Sequence, residues 1–517
     1  MAESSDQPAI AAAIYAEALK EQPHNQSLSS KAYLKAVEAG NFELAIQVIR
    51  ARELDGDIEQ EMPLLLFADA FARKDYRAAE TAALLLEAQP NLGFLAPLLN
   101  AWLATSSSES PLTHLALAKD DKTASYYHRE QFILHSLALG HEKNVLRLID
   151  ALVDQNEAGM APVRIIAARH FLAKNDEEQA LRILARERSG PEAKMAGDIR
   201  AGNFKNLAQK ITPKVGTAFL MQRLALELGT QRAYFLGLVC AQAAARIFPD
   251  SDYGTLVLGE AFDNTDNTNA ARAQFLKISN DSAFAVQAIG MEAAVYVADK
   301  DFSGAQQRLG QVIAKNPYEP ELQILSGQIL QLSGDPKGAA DAFERAIALA
   351  EKRDSPDALL ASYWLSLGGA QEQAGLWPQG LQSLEKANKL LPNSASILNY
   401  LGYAQLERRE NTVAAVEAIR KAYELRSSSP AITDSLGWAY YVTGDHDKAV
   451  SYLELALNGE PKDPTINEHL GDAYWAVGRK YEARYAWRSA QLFADAEDAQ
   501  RLADKIDIGL SSDLVSP

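Results

Sequence analysis

A period of about 34 residues is the feature that most constrains this chain of 517 residues. Leu436-Gly437 begins a run of small and aromatic residues whose offsets are repeated from Leu470-Gly471 onward. We call the position of Gly437 within its unit the glycine place. Small residues occupy this place in eight units, at steps of 34, 34, 34, 41, 34, 35 and 34 residues: Ala225, Gly259, Ala293, Gly327, Gly368, Gly402, Gly437 and Gly471. Eight units in near-constant register predict a stack of repeated elements rather than three or four globular domains.

Each unit has the pattern of two amphipathic helices joined by a tight turn. Apolar residues recur at three- and four-residue spacing on both sides of Gly-Asp turns such as Gly444-Asp445. A small residue on the first helix and another about twelve residues later, as at Gly437 and Ala449, allow close approach of the two helix backbones. Proline cannot continue a helix and is expected to follow several second helices, at Pro249, Pro317, Pro392 and Pro461. The pattern predicts an all-α fold.

The same residues resemble the tetratricopeptide repeat family, whose unit begins Trp-x-x-Leu-Gly-x-x-Tyr and continues with Ala, an aromatic residue, Ala and Pro. The start is matched by Trp364-x-x-Leu367-Gly368 and by Leu436-Gly437-x-x-Tyr440, and the second helix by Ala339, Phe343 and Ala346. The match is strong over 220–495. The resemblance implies a right-handed α-α superhelix of about 13 helix pairs, with the first helices lining a concave groove.

The register divides the chain into five segments. Residues 1–188 fit as a degenerate N-terminal array, with turns at Gly40-Asn41-Phe42 and Lys74-Asp75-Tyr76. The register is lost at 189–215, which we interpret as an irregular, flexible joint before the regular array of 216–494. Residues 495–508 are predicted to form a capping helix with charges on its outer face, and 509–517 a polar tail.

The N-terminus leaves two interpretations open. Residues 8–22 have the pattern of a second helix without its first helix. Sequence upstream of residue 1, such as a signal or lipoprotein segment, is one explanation, and a natural single capping helix is the other.

Composition and motifs exclude several classes of function. The net charge of −17 opposes binding to nucleic acid, which depends on clustered Lys and Arg. The single cysteine, Cys240, rules out an internal disulfide, and its apolar surroundings favour a buried, unreactive thiol. His128 and His135 could share a helix face, but no third metal ligand is near them. Motifs of hydrolases, nucleotide-binding enzymes and zinc proteases do not occur, so we predict no catalytic residue, cofactor or metal.

A partner is expected in the groove of the last three units. By helical geometry we assign offsets −3, +1 and +4 from each glycine place to the groove. This stripe contains Asn399, Tyr403, Leu406, Asp434, Trp438, Tyr441, Glu468, Asp472 and Trp475. Aromatic residues among acids predict binding of an apolar or basic protein segment. The alternative is that Trp438 and Trp475 pack between neighbouring first helices, whereas Trp487 lies on the core offset.

The run around 398–475 is similar to a narrower group, the long proteobacterial, especially alphaproteobacterial, tetratricopeptide proteins. One branch of that group resembles outer-membrane lipoprotein adaptors of carboxyl-terminal processing proteases. This resemblance implies a non-catalytic scaffold or adaptor that binds such a protease, in the periplasm or at the outer membrane if an upstream signal is missing, and otherwise in the cytoplasm. The alternative is a cytoplasmic assembly or regulatory factor that self-associates as a homo-oligomer through its N-terminal half.

Overall fold

The computed structural model describes residues 8–54, 58–105, 110–155, 161–184, 190–204, 206–511 and 513–515. These residues form an all-α fold without strands, as the period predicts. The predicted boundary at 188/189, the first seven residues and parts of the tail lie outside the described residues. Two compact units divide the chain, Met1–Pro317 and Tyr318–Pro517.

The described helices of the first unit are α1 Pro8–Glu21, α2 Gln26–Glu38, α3 Phe42–Leu54, α4 Met62–Ala72, α5 Tyr76–Glu87, α6 Ala96–Ala104, α7 Pro111–Asp120, α8 Ala124–Ala138, α9 Glu142–Gln155, α10 Ala161–Leu172, α11 Glu177–Leu184, α12 Gly190–Arg200, α13 Pro213–Thr230, α14 Tyr234–Ile247, α15 Asp252–Asp263, α16 Thr268–Phe275, α17 Ala285–Ala298 and α18 Phe302–Lys315. Those of the second unit are α19 Pro320–Leu332, α20 Pro336–Lys352, α21 Asp357–Gln373, α22 Trp377–Leu390, α23 Ala395–Glu407, α24 Thr412–Leu425, α25 Pro430–Val442, α26 His446–Gly459, α27 Pro464–Ala476, α28 Lys480–Gln491 and α29 Ala496–Ile508.

The predicted register is confirmed in the regular array. Every glycine place from Ala225 to Gly471 lies on an odd-numbered helix from α13 to α27, and each is followed by its paired even-numbered helix. A Cβ added to Gly437 would lie 2.7 Å from Cγ of Leu453, so the small residue is what allows the two helices to pack closely. The step of 41 residues corresponds to α20 and α21, which have 17 residues each.

Local signals in the sequence explain where these helices begin and end. Gly444 adopts a left-handed backbone with φ of 88°, which costs glycine little, and Asp445 then caps α26 by accepting from the Lys448 N–H. The four predicted prolines each lie two residues beyond a second helix, after Ile247, Lys315, Leu390 and Gly459. Turn and proline positions therefore agree with the sequence prediction.

In the first unit, the helix pair α13–α14 packs against α2, α4, α6 and α8, the first helices of the N-terminal array. Gln242 donates to the Val37 carbonyl at 2.6 Å, and Arg246 pairs with Asp69 at 2.8 Å. Gly216 lies so close to Trp102 that a Cβ would be 1.9 Å from its ring. These contacts join segments up to 205 residues apart, and one continuous hydrophobic core runs from Ala32 to Ala288.

The segment that we interpret as a joint has its own structure where it is described. It begins with α12, and the irregular stretch that follows is tied back to α10. The Arg169 guanidinium donates to the Leu207 carbonyl at 2.8 Å, and the Ile211 N–H donates to the His170 ring at 3.3 Å. The chain on both sides belongs to one compact unit. The role of this segment as a flexible joint stays a prediction.

One expectation about the capping helix is wrong. The predicted helix exists as α29, but its charges do not all lie on an outer face. Lys505 is completely buried, and its ammonium group contacts Glu468 at 2.6 Å and Asp472 at 2.9 Å.

Candidate functional site

A groove crosses four successive first helices of the second unit, α21, α23, α25 and α27. Its cavity measures about 350 Å³, within the range of about 300–1,000 Å³ usual for ligand pockets. The residues that line it are Glu372, Asn399, Tyr400, Tyr403, Ala404, Glu407, Ala431, Asp434, Ser435, Asp463, Thr465 and Ile466. Four of them are acidic and none is basic. We call this cavity the acidic groove.

Two tyrosines on α23 are held in place by carboxylates of the acidic groove. The Tyr400 hydroxyl donates to Glu372 at 2.6 Å, and Glu372 also pairs with Arg408 at 2.8 Å. Burial and then the neighbouring Glu407 raise the pKa of Tyr403, so its phenol remains protonated and donates to that carboxylate. The rings are thereby fixed as half-buried platforms with a polar edge.

Asn399 supplies an unsatisfied polar atom at the acidic groove. Its side-chain carbonyl oxygen is buried and has no hydrogen-bond partner among the described residues. A buried amide oxygen without a partner costs free energy.

The acidic groove contains only part of the predicted stripe. Asn399, Tyr403 and Asp434 line it. The expected groove exposure is wrong for Leu406, Trp438, Glu468 and Asp472, which are at most 4% exposed. Tyr441 and Trp475 are half-buried, Tyr441 stacking on Trp438 and Trp475 packing beside Trp487. Partner binding is therefore proposed chiefly for Asn399, Tyr403 and Asp434.

The reason for this difference is that the other side chains pack against residues of neighbouring helices. Trp438 of α25 stacks on His469 of α27, with ring centroids 4.1 Å apart. The His469 ring also lies 2.9 Å from the Asp434 carboxylate. Burial lowers the pKa of His469, but Asp434, Asp472 and Glu468 outweigh it and raise the pKa above 6.5. The packing matches the alternative stated above for Trp438.

The last unit continues this polar network into the capping helix. Arg501 of α29 makes a two-pronged contact with Glu468 at 2.9 and 2.8 Å. Lys505 bridges Glu468 and Asp472, and the Trp487 indole donates to Asp472 at 2.8 Å. Burial raises the pKa of Glu468, yet hydrogen bonds from Arg501 and Lys505 lower it overall. The three acids Asp434, Glu468 and Asp472 thus face the three basic groups of His469, Arg501 and Lys505, and we call these six residues the buried ion network.

Sequence reasoning missed Tyr400, Glu407 and Asp463 as groove residues. Tyr400 and Ser435 lie at offset −2, Ala431 and Thr465 at −6, and Glu407 at +5. Offsets −2 and +5 lie one position, or about 100° of helix rotation, from the assigned −3 and +4, whereas −6 lies nearly one helical turn before −3. Only one unit has a tyrosine at −2 and an acid at +5, Tyr400 and Glu407, so no repeated pattern marks these residues in the sequence.

Among the described residues, no cluster of three or more His, Cys, Asp or Glu side chains could hold a metal ion. Within the same residues, no helix is long and apolar enough to cross a membrane. Cys240 is buried, as predicted, and burial raises the pKa of its thiol well above the usual range.

Comparison with known proteins identifies the repeat. Models of the tetratricopeptide repeat match residues 291–358, 365–430 and 435–463. A curated relative, "TPR repeat-containing protein PA4667" of Pseudomonas aeruginosa PAO1, is 29% identical over 173 residues. That match covers 32% of this chain and 27% of the relative, so the chain spans about a quarter of the relative's length.

Among the solved structures with similarity to this chain, two cover about a third of it. The crystal structure of MamA is 25% identical, with a TM-score of 0.26, over 34% of this chain and 96% of MamA. A thermophilic tetratricopeptide protein of Thermus thermophilus, TTC0263, is 23% identical, with a TM-score of 0.31, over 36% of this chain and 97% of that protein. Tetratricopeptide repeats are generally protein-interaction scaffolds. The family matches and the helix register support the tetratricopeptide repeat family, with an all-α repeat fold.

Proposed function

We propose that this chain is a non-catalytic scaffold whose acidic groove binds a basic segment of a protein partner. The observation that carries the proposal is the lining of that groove, which has four carboxylates, two fixed tyrosines and no basic side chain. Glu372 already pairs with Arg408, and Asp434 faces His469. Glu407 is exposed and makes no ion pair with the described residues, so its carboxylate is available to a lysine or arginine of the partner.

The remaining lining residues fit a peptide. Stacking on Tyr400 and Tyr403 favours a cationic or planar side chain over the rings. The half-buried Asn399 also lines the groove, and its side-chain amide is of the type that hydrogen-bonds a peptide backbone. An acidic groove on a chain of net charge −17 also attracts basic partners electrostatically, so the association rate is expected to fall as salt increases.

Site-specific cross-linking in the native organism tests the proposal. The photo-cross-linker p-benzoylphenylalanine replaces Tyr403 in the acidic groove, and mass spectrometry identifies the captured segment. The matched control carries the same group in place of Tyr481, which is 83% exposed on α28 and does not line the groove. We expect a basic segment at position 403 and not at 481. Equal capture at both positions, or capture of an acidic segment at 403, would contradict the proposal.

The finer proposal is an adaptor for a carboxyl-terminal processing protease in the bacterial cell envelope. Its support is the resemblance of residues 398–475 described above. Capture of such a protease at position 403 would support this role, and capture of cytoplasmic proteins alone would refute it. The alternative, a factor that self-associates through its N-terminal half, predicts a concentration-dependent mass in sedimentation velocity.

A further inference from the structure

We propose that a second groove, in the first compact unit, docks an apolar peptide segment that carries one lysine or arginine. This cavity measures about 460 Å³ and crosses the first helices α13, α15 and α17, with residues of α10 and α12 completing its lining. Tyr253 and Gln287 lie at offset −6, and Val257 and Met291 at −2, the offsets that line the acidic groove. We call it the apolar groove.

The apolar groove differs from the acidic groove in its chemistry. Large apolar side chains from several helices and their caps dominate it: Ile165, Leu226, Leu256, Val257, Phe284 and Met291. Because these side chains line an accessible cavity, they favour the removal of a ligand's apolar surface from water. A partner segment therefore has to present apolar side chains here.

The charged residues that line the apolar groove favour a basic group on the partner. Arg164 and Glu192 also line the groove, but they neutralise each other in a buried pair at 3.0 Å. Glu260 lies on α15 in the same lining, and its carboxylate has no hydrogen bond or ion pair among the described residues. Burial and then Asp263 raise the pKa of Glu260, as expected for a carboxylate without a cation. A lysine or arginine of the ligand would compensate this charge.

A polar group at the rim favours a peptide over a purely hydrophobic molecule. The Gln287 side chain is exposed on α17, lines the groove and makes no hydrogen bond among the described residues. Its amide has both donors and an acceptor, which matches the N–H and carbonyl of a peptide backbone.

Selection from a random 12-residue peptide library displayed on phage tests this inference with the full chain. Phage are enriched on the wild-type protein after depletion on the Glu260→Lys variant. This variant keeps the acidic groove, so peptides that bind there are removed. We expect enriched peptides with two or more large apolar residues and one Lys or Arg. Absence of enrichment, or a consensus without a basic residue, would overturn the proposal.

Fluorescence anisotropy then measures one enriched peptide and its analogue with norleucine in place of the basic residue. Glu260→Gln should weaken binding of the basic peptide by about tenfold and leave binding of the norleucine analogue nearly unchanged. Glu407→Gln, in the acidic groove, is the matched control and should alter neither affinity. If Glu260→Gln weakened binding of both peptides equally, the effect would be structural and the charge pairing would be refuted. Because the two grooves have separate variants, failure here is distinguishable from failure of the proposed function.

Discussion

At the scale of single residues, the buried ion network determines how the last unit is held to its capping helix. Two charges taken out of water stabilise a fold only when their partners satisfy them. Lys505 satisfies two carboxylates at once and is itself completely buried, whereas the nearby pair of Arg501 and Asp498 is partly exposed to solvent. The stability of this region should therefore depend much more on Lys505 than on Asp498.

Replacement of Lys505 by alanine tests this dependence. It leaves Glu468 and Asp472 without their shared cation, and we expect the free energy of unfolding to fall by about 3–5 kcal/mol. Asp498→Asn, which removes only an exposed partner of Arg501, should cost less than about 1 kcal/mol. Urea unfolding followed by tryptophan fluorescence measures both variants. Similar small losses for the two would contradict the network as described.

His469 makes the same network sensitive to pH. Its pKa in the folded protein is raised above 6.5, so protonation stabilises the fold. This stabilisation is fully present below about pH 6.5 and is lost as pH rises through the higher folded pKa. A single proton changes stability by at most about 1.4 kcal/mol per pH unit.

Urea unfolding of the second unit between pH 6 and pH 9 should therefore show decreasing stability. The His469→Gln variant should lose this decrease, because it retains a hydrogen-bond donor but cannot titrate. A pH dependence that is the same in the variant would assign the effect to other groups.

At the scale of helix pairs, the small residues of the period act through contact rather than through backbone freedom. A Cβ at Gly259 would lie 2.3 Å from the Phe275 ring of the partner helix, so the aromatic residue fills the space that glycine leaves. Gly310, in the middle of α18, would meet nothing within 4 Å. Both glycines belong to the first unit, and only the first lies at a glycine place of the period.

We expect opposite effects from the same substitution at these two glycines. Gly259→Ala should destabilise the protein by about 1–3 kcal/mol through overpacking. Gly310→Ala should stabilise it by about 0.5–1 kcal/mol, because alanine loses less backbone entropy in a helix. Thermal unfolding of the two variants measures the difference. A Gly259→Ala protein as stable as the wild type would contradict the contact between α15 and α16.

The sequence was informative about helix pairs and less so about their faces. Gly437 and Ala449 predicted the pairing correctly, since a close contact between neighbouring helices leaves a local pattern of small residues. The groove face was assigned only in part, because Trp438 is equally apolar whether it meets a ligand or His469 of the next first helix. Lys505 looked like a solvated charge because its partner carboxylates lie 33 and 37 residues away.

At the scale of the molecule, the two compact units have separate cores. The continuous core of the first unit ends at Ala288, and the described clusters of the second lie between Ala339 and Leu502. No local pattern predicted that α13 and α14 would pack on α2 to α8, because those contacts join segments far apart in sequence. The boundary between units therefore differs from the break in the repeat at 189–215.

Fragments of the chain divided at each of these two places test which boundary separates units that fold independently. Fragments 1–317 and 318–517, expressed separately, should each fold, because each retains its own core. Near-UV circular dichroism of each fragment should then show the fixed aromatic environment of a folded unit. A division between residues 212 and 213 should fail, since it removes α13–α14 from the N-terminal first helices and exposes surfaces such as Trp102 and Tyr33. Independent folding of fragment 1–212 with native near-UV signal would instead support the joint predicted from the sequence.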